Sequence, residues 1–157
     1  MKFQKYMVVG ILGLTMALGF SGCQSENQKN QDAYRKIGIN SMAEGDYDKA
    51  VKSFQKALDT SLGKIGAEEI DICHYKAAAQ FAKKDYDGAI ETYTSLIDYD
   101  KENANAYYLR GSVYLDTDKK DKAFKDYKNA VKYAGREYEI YEGIYENLTN
   151  KGETEEA

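Results

Sequence analysis

The segment Gly45-Asp46-Tyr47-Asp48-Lys49-Ala50-Val51-Lys52-Ser53-Phe54-Gln55-Lys56-Ala57-Leu58 decides the fold. Ala50, Val51, Phe54, Ala57 and Leu58 fall at offsets 0, 1, 4, 7 and 8, which places all five on one face of a helix with 3.6 residues per turn. The same spacing returns at Ala89, Ile90, Tyr93, Leu96 and Ile97, and again at Ala123, Phe124, Tyr127, Ala130 and Val131. A related turn precedes each copy: Gly45-Asp46-Tyr47-Asp48, Lys84-Asp85-Tyr86-Asp87 and Asp118-Lys119-Lys120-Asp121. The copies start 39 and 34 residues apart. A fixed period of this length marks an architecture of stacked units, none of which buries its apolar face alone.

Composition agrees. The 157 residues include 15 Tyr and no Pro, and long helices accept that mixture because an interior Pro would clash with the preceding turn. With 43% hydrophobic residues the chain has enough apolar surface for a core, so disordered and collagen-like classes are excluded. The net charge of −4 excludes a nucleic-acid partner, which needs a concentrated cationic surface to displace phosphate counterions.

The period, with small and aromatic residues at fixed places, resembles the tetratricopeptide repeat, a helix–turn–helix unit of 34 residues. The resemblance implies an all-α solenoid of three repeats, 31–64, 70–103 and 104–137, closed by a helix over 138–149 and followed by a disordered tail, 150–157. The family's small first-helix residue falls on Gly38, Ala77 and Gly111, where two helices approach closely; its aromatic falls on Tyr34 and Tyr107, with Cys73 in the middle unit. Thr60 to Glu69 is longer than the period allows and carries two Gly, which predicts a looser joint between the first two units. Tyr47, Tyr86, Tyr93, Tyr114 and Tyr127 are expected to fill interhelix space. In the closing helix Tyr141, Ile144, Tyr145 and Leu148 form the apolar stripe, and Glu139, Glu142 and Glu146 form a solvated side.

The resemblance also implies function. First helices of successive units line a concave surface that holds a segment of a partner. The corresponding positions are Arg35, Ile39 and Met42; His74, Ala78 and Phe81; and Asn105, Tyr108, Ser112 and Leu115. Glu142 and Glu146 follow from the closing helix. Some family members clamp a partner's terminal carboxylate with polar groove residues, but Ile39 and Leu109 stand where such groups are needed. An apolar middle with acids at one end suits an amphipathic protein or peptide segment.

Residues 1–22 read as a signal peptide: Lys2 and Lys5 precede the apolar run Met7 to Phe20, and Ser21 and Gly22 follow it. The run is too short for a permanent span of a hydrocarbon core about 30 Å thick. Leu18-Gly19-Phe20-Ser21-Gly22-Cys23 resembles the lipobox of bacterial lipoproteins, although Phe20 stands where an aliphatic residue is usual. That resemblance implies a lipid on Cys23, an extracytoplasmic location on a bacterial membrane, and a polar tether over 23–30. Removing residues 1–22 takes away two Lys and no acid, so the remaining chain is more acidic and the anchor alone must supply membrane contact.

Catalytic patterns are missing from the sequence. Cys73 and His74 are adjacent, so on a helix they point about 100° apart and cannot serve as nucleophile and base or as ligands of one ion. No CxxC, HExxH or phosphate-binding glycine loop occurs. No cofactor or metal is expected. The expected function is an envelope interaction module; a structural subunit of an envelope enzyme or secretion complex, and a binder of glycans or small molecules, stay open as alternatives.

Overall fold

The computed structural model describes residues 26–153. Seven helices and no strand occur among them: α1 (Glu26–Ala43), α2 (Tyr47–Asp59), α3 (Ala67–Ala82), α4 (Tyr86–Tyr99), α5 (Ala104–Asp116), α6 (Lys120–Ala134) and α7 (Tyr138–Lys151). The fold is all-α, in helix–turn–helix repeats with a closing helix. The chain divides into two compact units, one ending at Lys83 and one starting at Lys84.

Local chemistry sets the helix ends. Asp46 accepts the Lys49 N–H at 3.0 Å, Asp85 the Gly88 N–H at 3.1 Å and Asn103 the Ala106 N–H at 2.9 Å, so α2, α4 and α5 each start on a side-chain cap. At α3 the reach is reversed: the Gly66 N–H donates to Glu69 Oε2 at 2.9 Å. Gly45, Lys84 and Asp118 occupy equivalent turn positions and all have positive φ, of 78°, 67° and 56°. Glycine alone takes this left-handed conformation without a Cβ penalty, so Lys84 and Asp118 are held there by the turn around them.

In the first unit α1, α2 and α3 close around Ala50, Phe54, Ala57, Ile72 and Ala79, with Tyr34, Ile39, Met42, Val51, Leu58 and Tyr75 packed against them. Gly38 lies on the Phe54 ring: a Cβ there would be 2.5 Å from the nearest ring carbon. In the second unit the core joins α5, α6 and α7 through Leu115, Ala123, Tyr127, Ala130, Ile140, Ile144 and Leu148. Gly111 lies on Tyr127 in the same way, with a Cβ 2.8 Å from the ring. Fourteen of the fifteen positions in the thrice-repeated apolar pattern are buried or half-buried; Val131 is 43% exposed.

Four features differ from the sequence expectation. Glu26 to Asn30, read as tether, is the first part of α1, because Gln31 is buried and donates to Glu69 Oε1 at 2.7 Å, fixing this stretch against α3. Residues 150–153, read as tail, continue and cap α7: Gly152 takes φ 80°, the Glu153 N–H reaches the Leu148 carbonyl at 2.9 Å, and Lys120 pairs with Glu153. Thr60 to Glu69 is no loose joint, since backbone bonds and the Glu69 cap hold it and α3 packs on α2; the division falls instead between Lys83 and Lys84, inside the middle repeat. In α7 Tyr145 is 58% exposed while Ile140 and Asn147 are buried, so the inward face is turned from the predicted stripe. Residues 1–22, expected to form a signal peptide, and Cys23 lie outside the described residues.

Tyr127 of α6 is 3% exposed and contacts both α5 and α7. Tyr127→Ala is expected to cost about 3–5 kcal/mol as a core aromatic truncation. Urea denaturation followed by circular dichroism checks this, and unchanged stability would contradict the packing.

Candidate functional site

The predicted groove residues divide between the two units. In the first, Arg35 of α1 donates from Nε to Asp71 Oδ2 at 3.0 Å and through a second guanidinium N–H to the same oxygen, and its guanidinium lies 5.3 Å from the Tyr75 ring centroid. Tyr75 in turn stacks on Phe54 at 5.6 Å. Arg35 is therefore a neutralised charge that ties α1 to α3, and it is not a free cation for a partner's carboxylate. Ile39 and Met42 pack on the first core, Ala78 is buried, and Phe81 is half-buried. His74 is largely enclosed; burial pulls its imidazole below the ordinary range against the opposing pull of Asp71. Burial likewise raises the Cys73 thiol, which removes thiolate character.

Beside Arg35, Glu68 is pushed up to about 7 by burial, by a hydrogen bond with Asp32, and by the Asp32 and Glu69 charges, with Arg35 opposing. Burial and neighbouring carboxylates both disfavour the charged form of a carboxyl.

In the second unit Asn105 is exposed and Tyr108 half-buried. The Tyr108 ring lies 6.4 Å from that of Tyr127, and its hydroxyl fits against Gly143, where a Cβ would be 2.3 Å away. Behind it is a buried polar cluster. Asn147 donates from Nδ2 to Ser112 Oγ at 2.9 Å and to Tyr127 Oη at 3.2 Å, while the Ser112 hydroxyl donates to the Tyr108 carbonyl at 2.9 Å. Burial raises the Tyr127 phenol to about 12. Burial also raises that of Tyr108, with nearby Glu146 reinforcing the shift. Ser112 and Leu115 are both 2% exposed. They belong to the interior because α7 covers this part of α5, and they cannot line a groove. Glu142 and Glu146 are exposed.

Two functional-looking features escape sequence reasoning. Asn147 bridges α5, α6 and α7, and its signal is a polar residue at i+3 from Ile144 in an otherwise apolar face. Arg110 grips Asp126 through Nε (2.7 Å) and a second nitrogen (2.9 Å) and donates to Thr94 Oγ1 at 2.9 Å; Asp126 is 3% exposed. No group of three or more potential metal-ligating side chains occurs among the described residues.

Residues 32–62 and 104–136 match the family model described as tetratricopeptide repeat, and residues 77–118 match a second model described as TPR repeat. The chain belongs to the tetratricopeptide repeat family. Among solved structures, this tetratricopeptide protein is similar to MamA at 23% identity and a TM-score of 0.62, over 81% of this chain and 71% of that one. The TPR domain of Arabidopsis OM64 gives 17% identity and a TM-score of 0.64, over 79% and 98%. The first TPR domain of Spaghetti (RPAP3), solved with the HSP90 peptide SRMEEVD, gives 18% identity and a TM-score of 0.63, over 82% and 98%. Likenesses at these identities carry the fold alone. No curated protein matches the chain.

The Glu68 carboxyl binds its proton more tightly folded than unfolded, so its contribution is fully present below about pH 4.5 and is lost as pH rises through about 7. Replacing the acid by an amide, Glu68→Gln, is expected to raise stability relative to wild type as pH goes from 4.5 to 7.5. Parallel thermal melts of the two proteins check the sign; a constant difference across that range would contradict the raised Glu68 carboxyl.

Proposed function

We propose that this chain is a lipid-anchored, extracytoplasmic tetratricopeptide module that holds a protein or peptide segment of an envelope partner, and that it has no catalysis of its own. Tetratricopeptide solenoids use extended surfaces built from successive repeats for binding. The observation that carries the reading is the patch of Asn105, Tyr108 and Glu146: an exposed amide, a half-buried aromatic and an acid, backed by the Ser112–Tyr127–Asn147 cluster. A fixed aromatic beside a carboxylate suits a segment with apolar and Lys or Arg side chains. Arg35 and Ser112, already committed to Asp71 and to the interior, have no part in contact with the partner. The signal layout ending at Cys23 supports the anchor, which would hold an acidic domain at a surface that repels it.

Two experiments test the two halves. Cys23→Ser is expected to move the protein from the membrane fraction to the soluble or secreted fraction; a variant that stays on membranes after washing would refute the anchor. A photo-crosslinking amino acid at Asn105 is expected to capture a protein partner in cells at least about tenfold better than the same probe at exposed Lys52 on α2. Equal capture at both positions would place recognition elsewhere.

A further inference from the structure

A groove of about 620 Å³ runs along the outer side of α6 and α7, lined by Phe124, Val131, Tyr141, Ile144, Tyr145 and Leu148. Tyr127 also lines it, whereas Asn105, Tyr108 and Glu146 do not. Val131 and Tyr145 are 43% and 58% exposed and Phe124 and Tyr141 half-buried, so apolar side chains meet solvent at its rim, above a floor in which Ile144 and Leu148 are buried. The groove is also held in shape. Tyr141 donates across it to the Gly135 and Val131 carbonyls at 3.3 and 3.4 Å, and Lys120 pairs with Glu153 at the other end, which fixes α6 and α7 as antiparallel neighbours.

Its two walls carry opposite charge. The α6 helix has five Lys and two Asp, one of which is the buried Asp126; α7 has three Glu and one Lys. Lys128 lines the groove, and Lys125 and Lys132 are exposed within one turn of it, the Lys132 amine donating to Tyr133 Oη at 3.1 Å. On α7, Glu142 lies about 60° around the helix from Tyr145, on the solvent edge. None of Lys125, Lys128, Glu139 and Glu142 forms an ion pair with another described residue.

We infer that the α6–α7 groove is the interface for a second copy of this chain. The charge pattern selects both the occupant and the symmetry. With a two-fold axis parallel to the helices, each α6 lies over the partner's α7, which brings Lys rows over Glu rows twice and sets Tyr145 and Val131 of both copies together. An axis perpendicular to the helices would put α6 on α6 and Lys against Lys. A single surface that carries both halves of the complement is what an isologous contact requires.

The test uses full-length chains with two different tags, purified in mild nonionic detergent and mixed. Wild-type copies are expected to capture one another. Lys128→Glu/Lys132→Glu places acids against acids in both contacts, and Glu142→Lys places bases against bases, so self-capture by either variant is expected to drop by roughly tenfold or more. Mixed together, the two variants meet as Glu against Lys in one contact and as wild type in the other, and capture is expected to return to near the wild-type level. That recovery also shows that both variants are folded. Wild-type copies that do not capture one another, variants that self-associate like wild type, or a mixture that fails to recover would each overturn the dimer and leave the groove to a different molecule.

Discussion

A glycine backbone pressed against an aromatic ring is the contact on which the rest of the molecule depends. At Gly38 the ring is Phe54 and at Gly111 it is Tyr127, and in both places a Cβ would fall under 3 Å from ring carbons. Interiors are packed to crystal density, so a missing methyl group at this point sets the distance between the two helices of a hairpin. The ring that fills the gap then becomes a platform. Tyr75 stacks on Phe54, and Arg35 lies over Tyr75, which brings Asp71 and the start of α3 to α1.

In the second unit the same contact reaches further. Tyr127, set by Gly111, presents its hydroxyl to Asn147, and Asn147 also holds Ser112. A buried polar cluster of this kind is stable only if its members bond one another, so it fixes the rotation of α7 about its own axis. That rotation has two consequences: Gly143 comes against the Tyr108 hydroxyl, which steadies the proposed recognition patch, and Tyr145 is turned outward into the open α6–α7 groove. The two surfaces thus share a cause. The Arg110–Asp126 pair, nearly buried and doubly bonded, ties α5 to α6 beside it; removing one partner from such a pair leaves an uncompensated charge.

Periodicity made most of the fold legible in the sequence, because apolar spacing along a helix follows directly from its geometry. Gly38 and Gly111 are close-approach sites that the resemblance to the tetratricopeptide repeat implies. The start of α1 was not legible, since Glu26 to Asn30 is polar throughout and is fixed by a bond from Gln31 to a residue 38 positions away. In α7 the stripe of Tyr141, Ile144 and Leu148 packs inward as the sequence predicts, while Tyr145 faces out because Asn147 takes buried partners on two other helices. Carrying groove positions over by register failed at Ser112 and Leu115 because the closing helix covers them. Register assigns a residue to a face, whereas exposure depends on what is packed against that face.

Substituting Gly111 alone tests the central contact most directly. On helix propensity, Gly111→Ala should stabilise α5 by up to about 1 kcal/mol. If the glycine is required by the Tyr127 ring, the substitution instead destabilises the protein by about 1–3 kcal/mol through overpacking, and the cost shrinks when Tyr127→Leu is already present. Urea unfolding of the single and double variants gives both values. A Gly111→Ala protein more stable than wild type, or a cost unaffected by Tyr127→Leu, would contradict the account.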